Sequence, residues 1–174
     1  MATNKLTKPL HLFSQELPNW CWAAAAEMVL RFYDYYDSTC IKQCNLANEQ
    51  FGQSNCCSQT QNGDDPIQLD DIPVIYSNHG LQSDVIDSSI SMNSLDAEIT
   101  AGHPVEVVFE WTGGGGHVAI VYGIDINLGW IFVHDPLPSR NFGVVTYDDL
   151  ASAYGHGKWV ATVVNIHYRP ANGE

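Results

Sequence analysis

An α+β fold is predicted by a change of texture near Pro104 in a chain of 174 residues. Before that point apolar residues recur at helical spacing, and after it β-branched and aromatic runs alternate with glycine and polar turns. Such segregation indicates helices grouped against an antiparallel sheet, not alternating βαβ units. A length of 174 residues and a hydrophobic content of 45% are enough to bury a substantial core.

Residues 1–18, with Pro9 and Pro18, read as an extended arm. From Cys21 to about Tyr36 the residues Trp22, Ala25, Ala26, Val29, Leu30 and Tyr33 fall on one helical repeat without proline or glycine, and Asn19 is the expected cap. A second helix is expected over 41–51, ending at Gly52, followed by a polar loop over 58–65. Asp65-Pro66 reads as a cap and first-turn proline opening a helix to about Asn78, kinked or broken early at Pro73 and ended by Gly80. A short helix over 94–101 stops at Gly102 and Pro104. Strands are expected over 105–111, 117–125, 130–135, 144–147 and 159–168.

The net charge of −13 excludes a nucleic-acid partner, because nothing could neutralise a phosphate backbone. The acidic residues are scattered (Asp64-Asp65, Asp70-Asp71, Asp148-Asp149) and read as a solvated surface, with a preference for cationic substrates as the functional counterpart. No apolar run is long enough to span a bilayer, and the first residues lack the apolar core of a signal peptide. A monomer without cofactor, metal or membrane partner is expected.

Cys21 stands apart, whereas Cys40, Cys44, Cys56 and Cys57 crowd into one region. Direct bonding of the adjacent pair is strained. Two patterns remain: Cys40 with either Cys56 or Cys57, and Cys44 with the other. A four-cysteine zinc site is the rival, but adjacent ligands fit poorly with spaced knuckles. Disulfides imply an oxidising destination: secretion, or delivery to a host or target cell, with the cytoplasm as the alternative.

The chemistry concentrates at residues 15–26. Cys21 lies where an irregular stretch becomes a helix, so unsatisfied N–H groups favour a thiolate there. Gln15, six positions upstream, is placed to donate to the oxyanion that forms when a thiolate attacks a carbonyl. The base is His117, which follows four glycines and opens an apolar strand; Gly115 and Gly116 leave room for a substrate backbone, and Trp20 is a further substrate contact. The orienting acid is Asp135 at the end of the run Trp130-Ile131-Phe132-Val133-His134. Side chains alternate along a strand, so His134 and Asp135 cannot share a cleft. Asp125 is the other acid considered, and reads more simply as a turn residue.

These residues resemble those of papain-like cysteine peptidases: Gln15, Asn19-Trp20-Cys21-Trp22-Ala23-Ala24, Gly116-His117 and Asp135-Pro136. Gln43-Cys44-Asn45-Leu46-Ala47-Asn48, Phe51-Gly52 and Cys56-Cys57 are similar to the bacterial branch that includes avirulence effector peptidases of plant pathogens. The run from Ile99 to Val105, and that from His117 to Asp125, look like bacteriocin-processing peptidase domains. Pro18 and Asp135-Pro136 depart from plant-type papains and agree with the bacterial branch.

The resemblance covers roughly residues 10–168. It implies one catalytic domain over 1–174, with a helical lobe at about 10–92, a β-barrel-like lobe at about 93–170, and the cleft between them. Cys21 would be the nucleophile, His117 the general base and acid, and Asp135 its orienter. Gln15 would complete an oxyanion hole with the Cys21 backbone N–H. The implied reaction is hydrolysis of peptide bonds in a protein or peptide substrate through an acyl-enzyme; in effector relatives a host folding factor is an activating partner. A glutamine deamidase, an acyl transferase or a cell-wall amidase would use the same triad. A non-catalytic module stabilised by its cysteines or a metal is the remaining reading.

Overall fold

The computed structural model describes residues 3–33, 41–58, 63–140 and 143–169. In chain order these form β1 (Asn4–Lys5), α1 (Cys21–Phe32), α2 (Gln43–Phe51), α3 (Asp71–Asn78), β2 (Leu81–Ile86), α4 (Met92–Ala101) and β3 (Val105–Trp111). There follow β4 (Gly116–Asp125), β5 (Trp130–His134), β6 (Val144–Thr146), α5 (Tyr147–Ala151) and β7 (Gly157–Tyr168).

α1 is buried along nearly its whole length, and its alanines let β4, α2 and α3 pack closely around it. The carboxylate of Glu27, buried on this helix, pairs with Arg31 at 2.7 Å and accepts from the Gln43 amide at 3.4 Å, so the charge is not left unpaired. Asn19 is not its cap. Trp20 occupies that position without a side-chain cap bond. The Asn19 backbone N–H donates to Asp64 Oδ1 at 2.8 Å, and its side-chain amide donates to the Asp64 carbonyl at 3.0 Å.

That engagement also explains why Pro66 opens no helix. Residues 64–68 run irregularly past the start of α1, where the Asp65 carbonyl accepts the Trp22 indole N–H at 3.2 Å. α3 begins only at Asp71, which puts Pro73 in its first turn. An N–H there has no helical acceptor, so the expected kink has no cause. α2 and α4 end on left-handed Gly52 and Gly102.

The sheet is antiparallel, in the order β2-β7-β3-β4-β5-β6, with β1 added to β4. It is open, not a closed barrel. β2 lies past Gly80, in the half of the chain where no strand is expected; its Gln82-Ser83-Asp84 centre is polar because it is an edge strand with few buried positions. α5, five residues opened by a Thr146–Asp149 capping box, has no counterpart among the expected elements. β3 and β4 form the most buried part of the sheet and face the helices. Among the described residues no helix is long and apolar enough to cross a membrane.

Cys44 and Cys57 form a disulfide, which removes both as zinc ligands; of the expected pattern that contains it, the bond from Cys56 to Cys40 is not formed. Cys56 is a buried free thiol. Cys40 lies outside the described residues.

Candidate active site

Cys21 is the first residue of α1, and it lines a cleft of about 1010 Å³ between the helices and the sheet. His117 enters from the start of β4. The β3–β4 hairpin turns through Gly114 and Gly115, both at φ +88, a backbone that side-chain-bearing residues rarely adopt. Trp111 N–H donates to the Gly115 carbonyl at 3.0 Å and closes that turn. The glycines therefore shape the hairpin, and Gly115 and Gly116 also line the cleft.

Register does the next part of the work. Phe109 pairs across the ladder with His117, so Phe109 and Trp111 share its face of the sheet. Their rings stack on the imidazole at 6.3 Å and 5.4 Å. His117 is only 4% exposed. On its other side Asp135, fully buried just beyond β5, accepts from His117 Nε2 at 2.7 Å and from the Leu137 backbone N–H at 2.8 Å. This leaves Nδ1 for the Cys21 sulfur, a hydrogen-bond partner of the ring. Burial alone would push the histidine pKa down; the hydrogen bonds to Asp135 and Cys21 and the charges on both outweigh it and lift the value to about 9. The ring is thus an imidazolium at neutral pH.

His134 goes the other way, as alternation requires. Its ring lies 4.3 Å from Tyr122, and burial, together with the charge on His11, lowers its pKa to about 4. Asp125 accepts from the Thr3 hydroxyl at 3.0 Å and from the Asn127 and Leu128 backbone N–H groups at 3.1 Å each, which is a turn's work.

Gln15 also lines the cleft, and its backbone N–H donates to the Pro136 carbonyl at 2.8 Å, pinning the arm beside Asp135. Its side-chain amide donates to the Leu17 and Pro18 carbonyls at 3.0 Å and 2.6 Å, so both protons are engaged. Reaching an oxyanion requires the amide to turn or to share a proton. Trp20, expected as a substrate contact, does not line the cleft. It is 1% exposed, absent from the cleft wall, and its indole N–H donates to the Gly63 carbonyl at 2.6 Å.

The sequence profile of the family described as papain-like cysteine protease AvrRpt2 matches residues 2–151. This chain belongs to that family. It is a papain-like cysteine peptidase. No curated protein matches the chain.

Solved structures show the same fold. A putative C39-like peptidase from Bacillus anthracis superposes with a TM-score of 0.61 at 13% identity, covering 97% of this peptidase and 100% of that chain. The peptidase domain of Streptococcus ComA, a bi-functional ABC transporter, gives 0.59 at 16% identity over 90% and 98% of the two chains. A double glycine motif protease from an AMS/PCAT transporter, in complex with its leader peptide, gives 0.58 at 12% over 97% and 100%.

Around Cys21, His117 and Asp135 the structure adds residues that the sequence did not mark. Arg140, Trp111 and Leu137 line the cleft beside His117, and Tyr154 lies behind them, its phenol pushed well above the ordinary range by burial and the Asp135 carboxylate. They come from three separate loops and strands, and no local pattern joins them. Pro66, Ile67, Leu69 and Ile72 form an apolar wall on the helical side.

Proposed function

We propose that this peptidase hydrolyses peptide bonds through a Cys21–His117–Asp135 triad and an acyl-enzyme. The observation that carries the reading is the position of His117, with Nε2 on a buried Asp135 at 2.7 Å and its other nitrogen left to the Cys21 sulfur. The Cys21 thiolate adds to the scissile carbonyl, whose oxygen becomes an oxyanion. The Cys21 backbone N–H, at the uncapped start of α1, and a turned Gln15 amide donate to that oxygen. His117 Nδ1–H protonates the leaving amine, the C–N bond breaks, and an acyl-thioester remains. Neutral His117 then takes a proton from water, the hydroxide adds to the thioester, and the thiolate departs as the acid is released. Asp135 keeps Nε2–H as the bound tautomer throughout and stabilises the imidazolium.

The test compares the protein with Cys21→Ala on a peptide library and on intact proteins. New termini produced by the wild type and absent with the variant support the reading; equal cleavage by both overturns it. Ammonia release from intact protein without new termini would instead identify a deamidase using the same triad.

A further inference from the structure

Among the described residues lining the cleft, Arg140 is the only lysine or arginine. Its guanidinium lies over two aromatic faces, 5.3 Å from the Trp111 ring centre and 5.3 Å from that of Tyr154. Trp111 stacks in turn on His117, so the cation sits on the histidine side of the cleft. No carboxylate of the described residues pairs with it, and its side-chain N–H groups have no acceptor among them. That is notable in a chain with 20 acidic residues against 7 lysines and arginines. Glu110 lines the same cleft without closing on Arg140.

The backbone supports the same point independently. Ala153 and Tyr154 adopt φ of 46° and 59°, and Gly155 follows at 79°. A left-handed conformation at residues with side chains is strained and persists only where the surroundings impose it. Here it sets the Tyr154 ring edge-on to Phe109 at 5.4 Å and under Arg140. Stacking fixes the plane of a guanidinium without using any of its donors. What remains is a planar fork of N–H groups, which matches a carboxylate bidentately.

We propose that Arg140 forms an acid-recognising subsite that selects peptides carrying Asp or Glu on the leaving-group side of the scissile bond. This rests on the peptidase reading above. The side follows from the chemistry: His117 must reach the leaving amine, so residues after the scissile bond run past His117 onto the Trp111–Arg140 wall. The scattered acidic surface reads as a solvated one, whereas Arg140 places a cation on the histidine side of the cleft.

Cleavage of a proteome-derived peptide library, read by mass spectrometry, gives the residue preference at each position after the cut. Matched peptides with Glu, Gln or Lys at the enriched position then give ratios of kcat/KM. For the wild type a Glu:Gln ratio of about tenfold is expected, from the strength of charge-assisted over neutral hydrogen bonds. Arg140→Gln should bring that ratio to about one, and Arg140→Glu should reverse it toward Lys. Labelling of Cys21 by iodoacetamide reports whether each variant retains its site. Where a variant does not, the wild-type ratio decides, falling toward one at 0.5 M salt if Arg140 is read by charge. A wild-type ratio near one, or one unchanged in a labelled Arg140→Gln, overturns the subsite. If the wild type cleaves no peptide, it is the peptidase reading that fails.

Discussion

The indole N–H of Trp20 donates to the Gly63 carbonyl at 2.6 Å, tying the residue before Cys21 to the segment that follows the Cys44–Cys57 disulfide. Asn19 and Trp22 make parallel bonds to Asp64 and Asp65, so that segment holds the start of α1 at three residues, Asn19, Trp20 and Trp22. Reduction of the disulfide opens a closure of 13 residues, worth about 3 kcal/mol in chain entropy. Urea unfolding with and without reductant should show a loss of that order, with Cys21 labelling slowed as α1 loses its support. Gly63→Ala should act similarly: at φ +71 an added Cβ would meet Cys56 Sγ at 2.7 Å.

Asp135→Ala should lower kcat on the order of 10²-fold with little change in the fold, because it frees His117 Nε2 and removes the partner that fixes the tautomer. Asp125→Ala should leave turnover near wild type, since its partners are Thr3 and a turn. Steady-state kinetics on one peptide separates the two acids.

The rate should fall on the alkaline side with an apparent pKa near 9, where His117 loses the proton it gives to the leaving amine. The same raised value makes a stability contribution present in full below about 6.5 and lost as pH rises to about 9. Removing the Asp135 charge takes away a cause of the increase, so Asp135→Asn should move the alkaline limb to lower pH. A kcat/KM profile over pH 5–10 checks both.

Gln15→Ala should reduce kcat by about 10²-fold if the amide turns to the oxyanion. With both protons on the Leu17 and Pro18 carbonyls, a purely structural role predicts instead an unchanged kcat and a lower unfolding midpoint. Measuring both quantities on one preparation distinguishes the roles.

Glu106 is buried in β3 and accepts from the Tyr76 hydroxyl at 2.6 Å; burial lifts its pKa to about 7, with that hydrogen bond acting against the rise. A raised folded value means stability present below about 4.5 and lost as pH climbs to about 7. Glu106→Gln should remove that slope, gaining on the order of 2 kcal/mol over wild type between pH 5 and pH 8 in urea titrations.

The helix beginning at Cys21 and the strands around His117 were legible because their signals are local: apolar spacing without breakers, and a glycine run that leads into a β-branched strand. The cap at Asn19 and the helix at Pro66 were misread for one reason. Each has a good local signal, yet Asn19 and the segment Asp64-Asp65 bond to one another across 45 residues, and those bonds outweigh local preference. β2 escaped notice because an edge strand needs few apolar residues, and α5 because one turn carries almost no periodicity.

By itself, the sequence determined the α+β class and singled out Cys21, His117 and Asp135 as candidates, since each stands at an element boundary marked by its neighbours. Only the tertiary structure decided how they meet: the β3–β4 register puts two aromatic rings on His117, and burial of Asp135 gives the imidazole its partner. Only the tertiary structure, too, set Trp20 inside the core and brought Arg140, Trp111 and Tyr154 together. Local patterns record what a backbone segment will do alone. Electrostatics and stacking depend on groups that are distant in the chain and become neighbours only when the sheet and helices close the cleft.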